Sequence, residues 1–206
     1  MPATSSPTHR QLRSKIRGQR AGLSRQELHN AELALARQAQ QCYAIQNAKR
    51  LASYHPIQGE ISPASISVNS AVALYLPRIQ NFVHRRMLFQ SAQLLRPNRW
   101  GIPEPDIASR IVMPNQLDVI LVPLVAFDRQ GHRIGMGAGF YDRTLAALAH
   151  QSSTRPLLVG LAHHFQEVNL ISAAPWDVPL DVIITDREYI TCPPAVHANS
   201  SAHLNQ

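Results

Sequence analysis

Apolar positions along the chain fall into two patterns: helical spacing near the N-terminus, and short near-continuous runs farther on. Leu12 and Ile16 stand one helical turn apart in a polar stretch that Ser6-Pro7 can cap and start. Ser24-Arg25-Gln26-Glu27 is a capping-box pattern, in which hydroxyl and carboxylate each accept from the other's backbone N–H. It predicts a second helix running to about Tyr43. Arg50 to Tyr54 reads as a first strand, Pro56-Ile57-Gln58-Gly59 as a turn, and Ser62-Pro63 as the start of another short helix. Strands are expected at Ala71–Leu76 and at His84–Phe89, the latter paired at an edge.

Val119–Val122, Leu157–Leu161 and Val182–Ile184 lack polar alternation, the pattern of strands buried on both faces in a parallel sheet. With a helix-like run from Tyr141 to His150, the alternation predicts a three-layer α/β domain. Its central sheet is expected to be mostly parallel, with an N-terminal helical pair. Residues 97–117, rich in Pro and Asn, read as a long structured loop of the kind that carries function. No internal repeat is visible. A single domain over residues 1–190 and a flexible tail over 191–206 are expected.

Composition changes this picture little. A chain of 206 residues with 45% hydrophobic content suits one domain with a real core. No apolar run approaches a membrane span, and no N-terminal segment looks like a secretory signal. Cys42 and Cys192 are far apart without metal-ligand spacing, so free thiols in a reducing cytosol are expected.

Charge is more informative once it is located. Of the net +7, six charges come from Arg10, Arg13, Lys15, Arg17, Arg20 and Arg25, ahead of the first acidic residue, Glu27. A basic helix suits nucleic acid, anionic lipid or ATP, and also resembles a transit peptide; a solvated basic face is the plainest reading. No stacking aromatics are interleaved with these charges, which argues against nucleic acid.

Gly131, Gly135, Gly137 and Gly139 are four of only nine glycines. They lie between the apolar run Asp118–Pro123 and the helix-like run from Tyr141, flanked by Arg133 and Arg143, with Asp142 at the helix start. Strand, glycine loop and helix aim backbone N–H groups at an anion, and a carboxylate there can hold a phosphate-bound metal. The same spacing also serves turns that merely need positive φ. It is neither a Walker A loop, which ends in Gly-Lys-Ser/Thr, nor a dinucleotide fingerprint, because the third glycine comes too early.

The stretch from Asp118 to Arg143 closely resembles the signature of the 5-formyltetrahydrofolate cyclo-ligase family. Arg13, Ser53-Tyr54-His55-Pro56 with Gly59-Glu60, Trp100-Gly101-Ile102-Pro103-Glu104-Pro105 and Trp176-Asp177-Val178-Pro179-Leu180-Asp181 follow in the family's order. The resemblance covers roughly residues 9–188 and implies a Rossmann-like architecture. It further implies an ATP-dependent enzyme of the cytoplasm, expected to be monomeric. The substrate would be 5-formyltetrahydrofolate, with or without a polyglutamate tail, converted to 5,10-methenyltetrahydrofolate. A formamide is a poor electrophile with a poor leaving group, and phosphorylation of its oxygen cures both, so alignment and charge neutralisation are the protein's tasks. No protein nucleophile is needed, and none is evident.

The resemblance assigns ATP to His9, Arg10, Arg13, Arg133, Ile134, Gly135, Gly137, Ala138, Gly139, Phe140 and Tyr141. It assigns folate to His55, Glu60, Trp100, Met136, Gly137 and Phe140, with Glu60 accepting the paired N–H donors of the pterin edge. Magnesium falls to Asp142 and Asp177, with Asp181 the rival of Asp177, and catalysis to Arg133 and Asp142. On local sequence alone Asp142 could equally cap a helix, Asp177 a turn, and Glu60 sit exposed. The chain departs from the family pattern at His9, where relatives carry lysine; some members also carry a lysine where this chain has Ala138, a residue compatible with bacterial-type members. Those two positions leave room for a non-catalytic folate- or nucleotide-binding relative. His163-His164, adjacent on a strand and so facing opposite sides, are expected outside the site.

Overall fold

The three apolar runs form the middle of the sheet, and their side chains divide between two cores. In a computed structural model that describes residues 8–98, 101–146, 155–174 and 176–194, Val119, Leu121, Val159, Leu161, Val182 and Ile184 face one cluster. Ile120, Val122, Leu158 and Ile183 face the other. Both faces are covered, which is why these strands carry no polar alternation.

In chain order the elements are α1 (His9–Ala21), α2 (Arg25–Ala39), α3 (Tyr43–Asn47), β1 (Arg50–Ala52), β2 (Ala73–Asn81), β3 (Arg86–Ser91), β4 (Leu95–Pro97) and β5 (Pro103–Pro105). There follow β6 (Ile111–Val112), β7 (Val119–Pro123), β8 (Ala126–Phe127), β9 (Arg133–Ile134), α4 (Phe140–Leu145), β10 (Leu157–Ala162), β11 (Val182–Thr185) and β12 (Tyr189–Thr191). The main sheet has eight strands in the order β12-β11-β10-β7-β1-β2-β3-β6, while β4-β5 and β8-β9 form separate ribbons.

Five strands, β11, β10, β7, β1 and β2, run parallel. The chain enters at β1, steps to β2 on one side, then returns to β7 on the other. A reversal of this kind opens a crevice at the carboxyl ends of β1 and β7, the place where doubly wound α/β folds bind ligands.

Helices cover both faces. Leu35, Ala39 and Ile45 of α2 and α3 enter one core, and Leu145 enters the other with Phe140 and Tyr141 packed against it. The two N-terminal helices feed different clusters rather than one shared seam. Leu12 and Ile16 of α1 join a third core with Val125, Ala126, Ile134 and Ile171.

Several element boundaries differ from the sequence reading. The first helix starts at His9 with a Thr8–Gln11 capping box, two residues beyond the expected Ser6-Pro7 cap and start, which lie outside the described residues. The second ends at Ala39, and Tyr43–Asn47 is a separate helix. Ser62-Pro63 opens only a turn, with Ser62 Oγ accepting from the Ala64 N–H at 3.1 Å. Strand β2 runs on through Pro77 to Asn81. Its partner β1 ends opposite Tyr75, so the face lacking the proline N–H has no strand to serve. The expected edge strand β3 is internal, because β6, hidden in the presumed loop 97–117, pairs with it. Strand β12 and the buried Cys192 carry the sheet past residue 190, and residues 195–206, the expected tail, lie outside the described residues. No described helix is long and apolar enough to cross a membrane.

Candidate active site

The glycine-rich segment is two structures joined end to end. Gly131, at φ 89°, turns the β8-β9 ribbon against Leu180, whose carbonyl oxygen lies 2.5 Å from where a Cβ would begin. It packs rather than faces a ligand. The loop proper runs Gly135–Gly139, with Gly137 and Gly139 at φ 98° and 70°, conformations that side chains rarely adopt.

Two arginines fix this loop. Arg13 reaches across from α1 to donate its Nε–H to the Gly135 carbonyl at 2.8 Å, and its guanidinium lies over Gly137. Arg133, with its side chain 5% exposed, donates to both the Asp142 carboxylate and the Val178 carbonyl. The loop is therefore tied at one end to α1 and at the other to the segment before β11.

A cavity of about 580 Å³ opens between the loop and the carboxyl ends of β1 and β7. His55, Glu60, Arg133, Met136, Ala138, Gly139, Phe140, Tyr141 and Asp142 line it, so most residues assigned to folate and nucleotide converge. Its opposite wall is apolar, formed by Pro77, Ile79, Met87, Ile102 and Pro103. A flat hydrophobic wall facing a few convergent polar groups suits a heteroaromatic ligand.

Glu60 lies on a turn held against the end of α1. Gly59, at φ 72°, approaches Arg20 so closely that an added Cβ would stand 2.9 Å from its carbonyl oxygen. Glu60 Oε2 accepts from the Ile57 N–H at 3.1 Å, and Oε1 stands 4.0 Å from Arg20 Nη1. Burial pushes the carboxyl above its ordinary range, opposed by that N–H and by the Arg20 charge. The carboxylate keeps acceptor capacity for a donor pair entering from the cavity.

Two other polar atoms here are buried without a partner among the described residues: Tyr141 Oη and His55 Nε2. Burial raises the Tyr141 pKa and lowers that of His55, so both are neutral at physiological pH. Native proteins rarely leave such atoms orphaned, and water or a bound polar ligand can satisfy them.

Other assigned residues lie differently. Arg10, Arg13, Ser14 and Arg17 line a second depression of about 330 Å³ along one stripe of α1, whereas His9 does not border it. Ile134 points into the third core and its carbonyl accepts from the Val125 N–H at 2.7 Å, leaving it a structural role. Trp100 lies outside the described residues. Asp177 Oδ2 accepts from the Ala174 N–H at 2.8 Å, closing its own turn next to Val178. Its rival Asp181 is bound on both oxygens by Arg155 and accepts the Leu158 N–H at 2.8 Å, so it is spent on holding β10 to β11.

A magnesium ion needs only one or two carboxylates when phosphate oxygens and waters complete its shell. Asp142 fits, being at the cavity with one oxygen taken by Arg133. No cluster of three or more acidic, His or Cys ligands occurs among the described residues.

Sequence reasoning missed Arg20 and His163. Arg20, counted in the basic face, is buried, donating to the Leu124 carbonyl at 3.3 Å and contacting Met136 Sδ at 3.8 Å. Its place on the Leu12–Ile16 stripe, four residues on, was the available signal. His163, just past the end of β10, lies 3.1 Å from the Gly59 carbonyl through Nε2, and so braces the Glu60 turn. His164 turns instead to Asp186.

Comparison with known proteins identifies the family. A protein of Haemophilus influenzae named 5-formyltetrahydrofolate cyclo-ligase is 36% identical over 182 residues, covering 84% of this chain and 96% of that one. The NMR structure of Aquifex aeolicus 5,10-methenyltetrahydrofolate synthetase superposes with a TM-score of 0.75 at 28% identity, over 95% of this chain and 99% of that one. A 5,10-methenyltetrahydrofolate synthetase from Mycoplasma pneumoniae gives 0.67 at 25% identity, over 88% and 100%. A family profile matches residues 5–186, so this chain belongs to the 5-formyltetrahydrofolate cyclo-ligase family and is an enzyme of the ligase class.

Proposed function

We propose that the chain converts 5-formyltetrahydrofolate to 5,10-methenyltetrahydrofolate with hydrolysis of ATP to ADP and phosphate, acting as a cytoplasmic monomer. The observation that carries this reading is that Glu60 and the Gly135–Gly139 loop open into one cavity. The pterin edge donates to Glu60, Tyr141 Oη and His55 Nε2 take its remaining polar groups, and the ring lies on the apolar wall. That pose presents the formyl group to the glycine loop.

The γ-phosphoryl group passes to the formyl oxygen, breaking the bond to ADP. N10 then attacks the activated carbon, phosphate leaves with the oxygen, and the N10 proton goes to solvent. Loop amides and Arg133 hold the phosphates in line, and Arg13 approaches from α1. Asp142, joined by Asp177, would hold a magnesium ion, which supplies charge neutralisation on the phosphate oxygens. Arg13 and Arg20 are directed into the protein, which supports this use of the basic helix over a nucleic-acid one.

The test is to mix protein, 5-formyltetrahydrofolate, ATP and magnesium and follow the near-ultraviolet absorbance of the methenyl product. Product requiring both ATP and magnesium supports the proposal. Folded protein that binds folate and releases no ADP would instead identify a non-catalytic relative.

A further inference from the structure

We propose that Arg85, at the tip of the β2-β3 hairpin, is a phosphate-binding residue that holds the terminal phosphate of ATP over the glycine loop. This rests on the nucleotide reading of that loop. Arg85 Nη1 lies 3.6 Å from where a side chain would begin on Gly139, and the Arg13 guanidinium lies 3.7 Å from the same point on Gly137. Two guanidinium groups therefore flank the loop, one delivered by α1 and one by the hairpin.

The hairpin is shaped to make that approach. Its register slips between Ile79 and Asn81, a bulge that bends the ribbon. The Asn81 side chain accepts from the His84 N–H at 2.8 Å and closes the turn. The Phe82 ring meets Phe140 edge-on at 5.8 Å, seating the tip on the end of the loop. Arg85 itself adopts φ 51°, the left-handed region where glycine or asparagine costs less. A long cation at a position that favours a small residue is the kind of local conflict found at functional sites.

Charge accounting gives the cation a task. Arg133 offers the phosphates only what its bonds to Asp142 and the Val178 carbonyl leave, and Arg13 commits its Nε–H to Gly135. Arg85 makes no side-chain hydrogen bond or ion pair among the described residues. Ile79 and Met87, from the strands that carry it, line the same cavity as Glu60. The hairpin thus stands on the pterin side of the loop, where the terminal phosphate must meet the formyl oxygen. A guanidinium there neutralises charge on the phosphoryl oxygens during transfer.

The experiment compares the unaltered protein with Arg85→Ala, Arg85→Lys and Arg85→Asn, and with Arg25→Ala on the remote start of α2 as a charge control. Asn tolerates the left-handed backbone, so it separates loss of charge from local misfolding. Calorimetric ATP and ADP affinities and the KM of each substrate are read for all of them. Arg85→Ala and Arg85→Asn should weaken ATP by roughly tenfold or more, the loss of one charge-assisted contact. ADP affinity and folate KM should stay within about twofold, Lys should recover part of the loss, and Arg25→Ala should change nothing. ATP binding and turnover unchanged in both neutral variants would overturn the assignment, as would equal losses for ATP and ADP. If the unaltered protein itself bound no ATP in the calorimeter, the nucleotide reading would fail and Arg85 with it.

Discussion

Arg20 Nη1 stands 4.0 Å from Glu60 Oε1, and their side chains are 0% and 6% exposed. Burial opposes ionisation of both: it lowers the arginine's pKa and raises the carboxyl's. At 4.0 Å without a direct hydrogen bond the pair offsets only part of that cost, leaving the carboxylate poorly satisfied until a donor arrives.

Replacing Glu60 should therefore separate stability from binding. Because the folded protein holds the Glu60 proton more tightly than the unfolded chain does, that proton's stabilisation is complete below the ordinary carboxylate pKa. It is lost as pH rises through the raised one. Ligand-free Glu60→Gln should accordingly melt higher than the unaltered protein at pH 7, with the gap closing at acid pH. The same variant should raise the folate KM by roughly 10- to 100-fold, since an amide cannot accept two charge-assisted bonds. A lower melting temperature at pH 7 would contradict this.

Substituting the other partner acts in the opposite sense. Arg20→Met removes the charge that favours the carboxylate, so the acid limb of kcat/KM should move to higher pH. Denaturant titration should show a loss of about 2 kcal/mol, and Arg20→Met combined with Glu60→Gln should lose less than the sum.

The contrast between these two residues shows what the sequence could convey. Glu60 was legible through the family pattern alone, since its local sequence reads as an exposed turn carboxylate. Arg20 was not, because its charge grouped it with solvent-facing arginines while its helical phase placed it with Leu12 and Ile16. The sheet centre was legible because its strands are buried on both faces and read as unbroken apolar runs. Strands β4, β5 and β6 were not, since they are only two or three residues long and the first two contain proline. β6 pairs with β3 and β4 with β5, contacts that no local pattern encodes. The cavity's polar lining was largely named in advance, whereas most of its apolar wall comes from the unexpected extension of β2 and the start of β5.

Asp142→Asn should keep the fold, judged by circular dichroism, while cutting turnover at least about 100-fold and raising the magnesium needed for half-maximal rate. Removing a phosphate- or metal-aligning group typically costs that much. Full activity at limiting magnesium would remove Asp142 from the metal.

Asp177→Asn and Asp181→Asn should part company. The first is expected to raise half-saturating magnesium by roughly tenfold with little change in melting temperature. The second, losing Arg155 and the Leu158 N–H, is expected to destabilise by about 1–2 kcal/mol with magnesium dependence intact. The reverse outcome would exchange their roles.

The docking of α1 also has a cost in time. All the described buried partners of Leu12 and Ile16, from Val125 to Ile171, lie more than 100 residues downstream. During synthesis at about 5–20 residues per second, the helix is finished roughly 5–20 s before any surface exists to receive it. For that interval it is a free basic amphipathic segment, adhesive to ribosomal RNA or to chaperones, and its attachment is a late, entropically costly closure. Since the same helix brings Arg13 to the glycine loop, a newly made molecule gains its nucleotide site only with that final step, and activity should lag behind formation of the sheet.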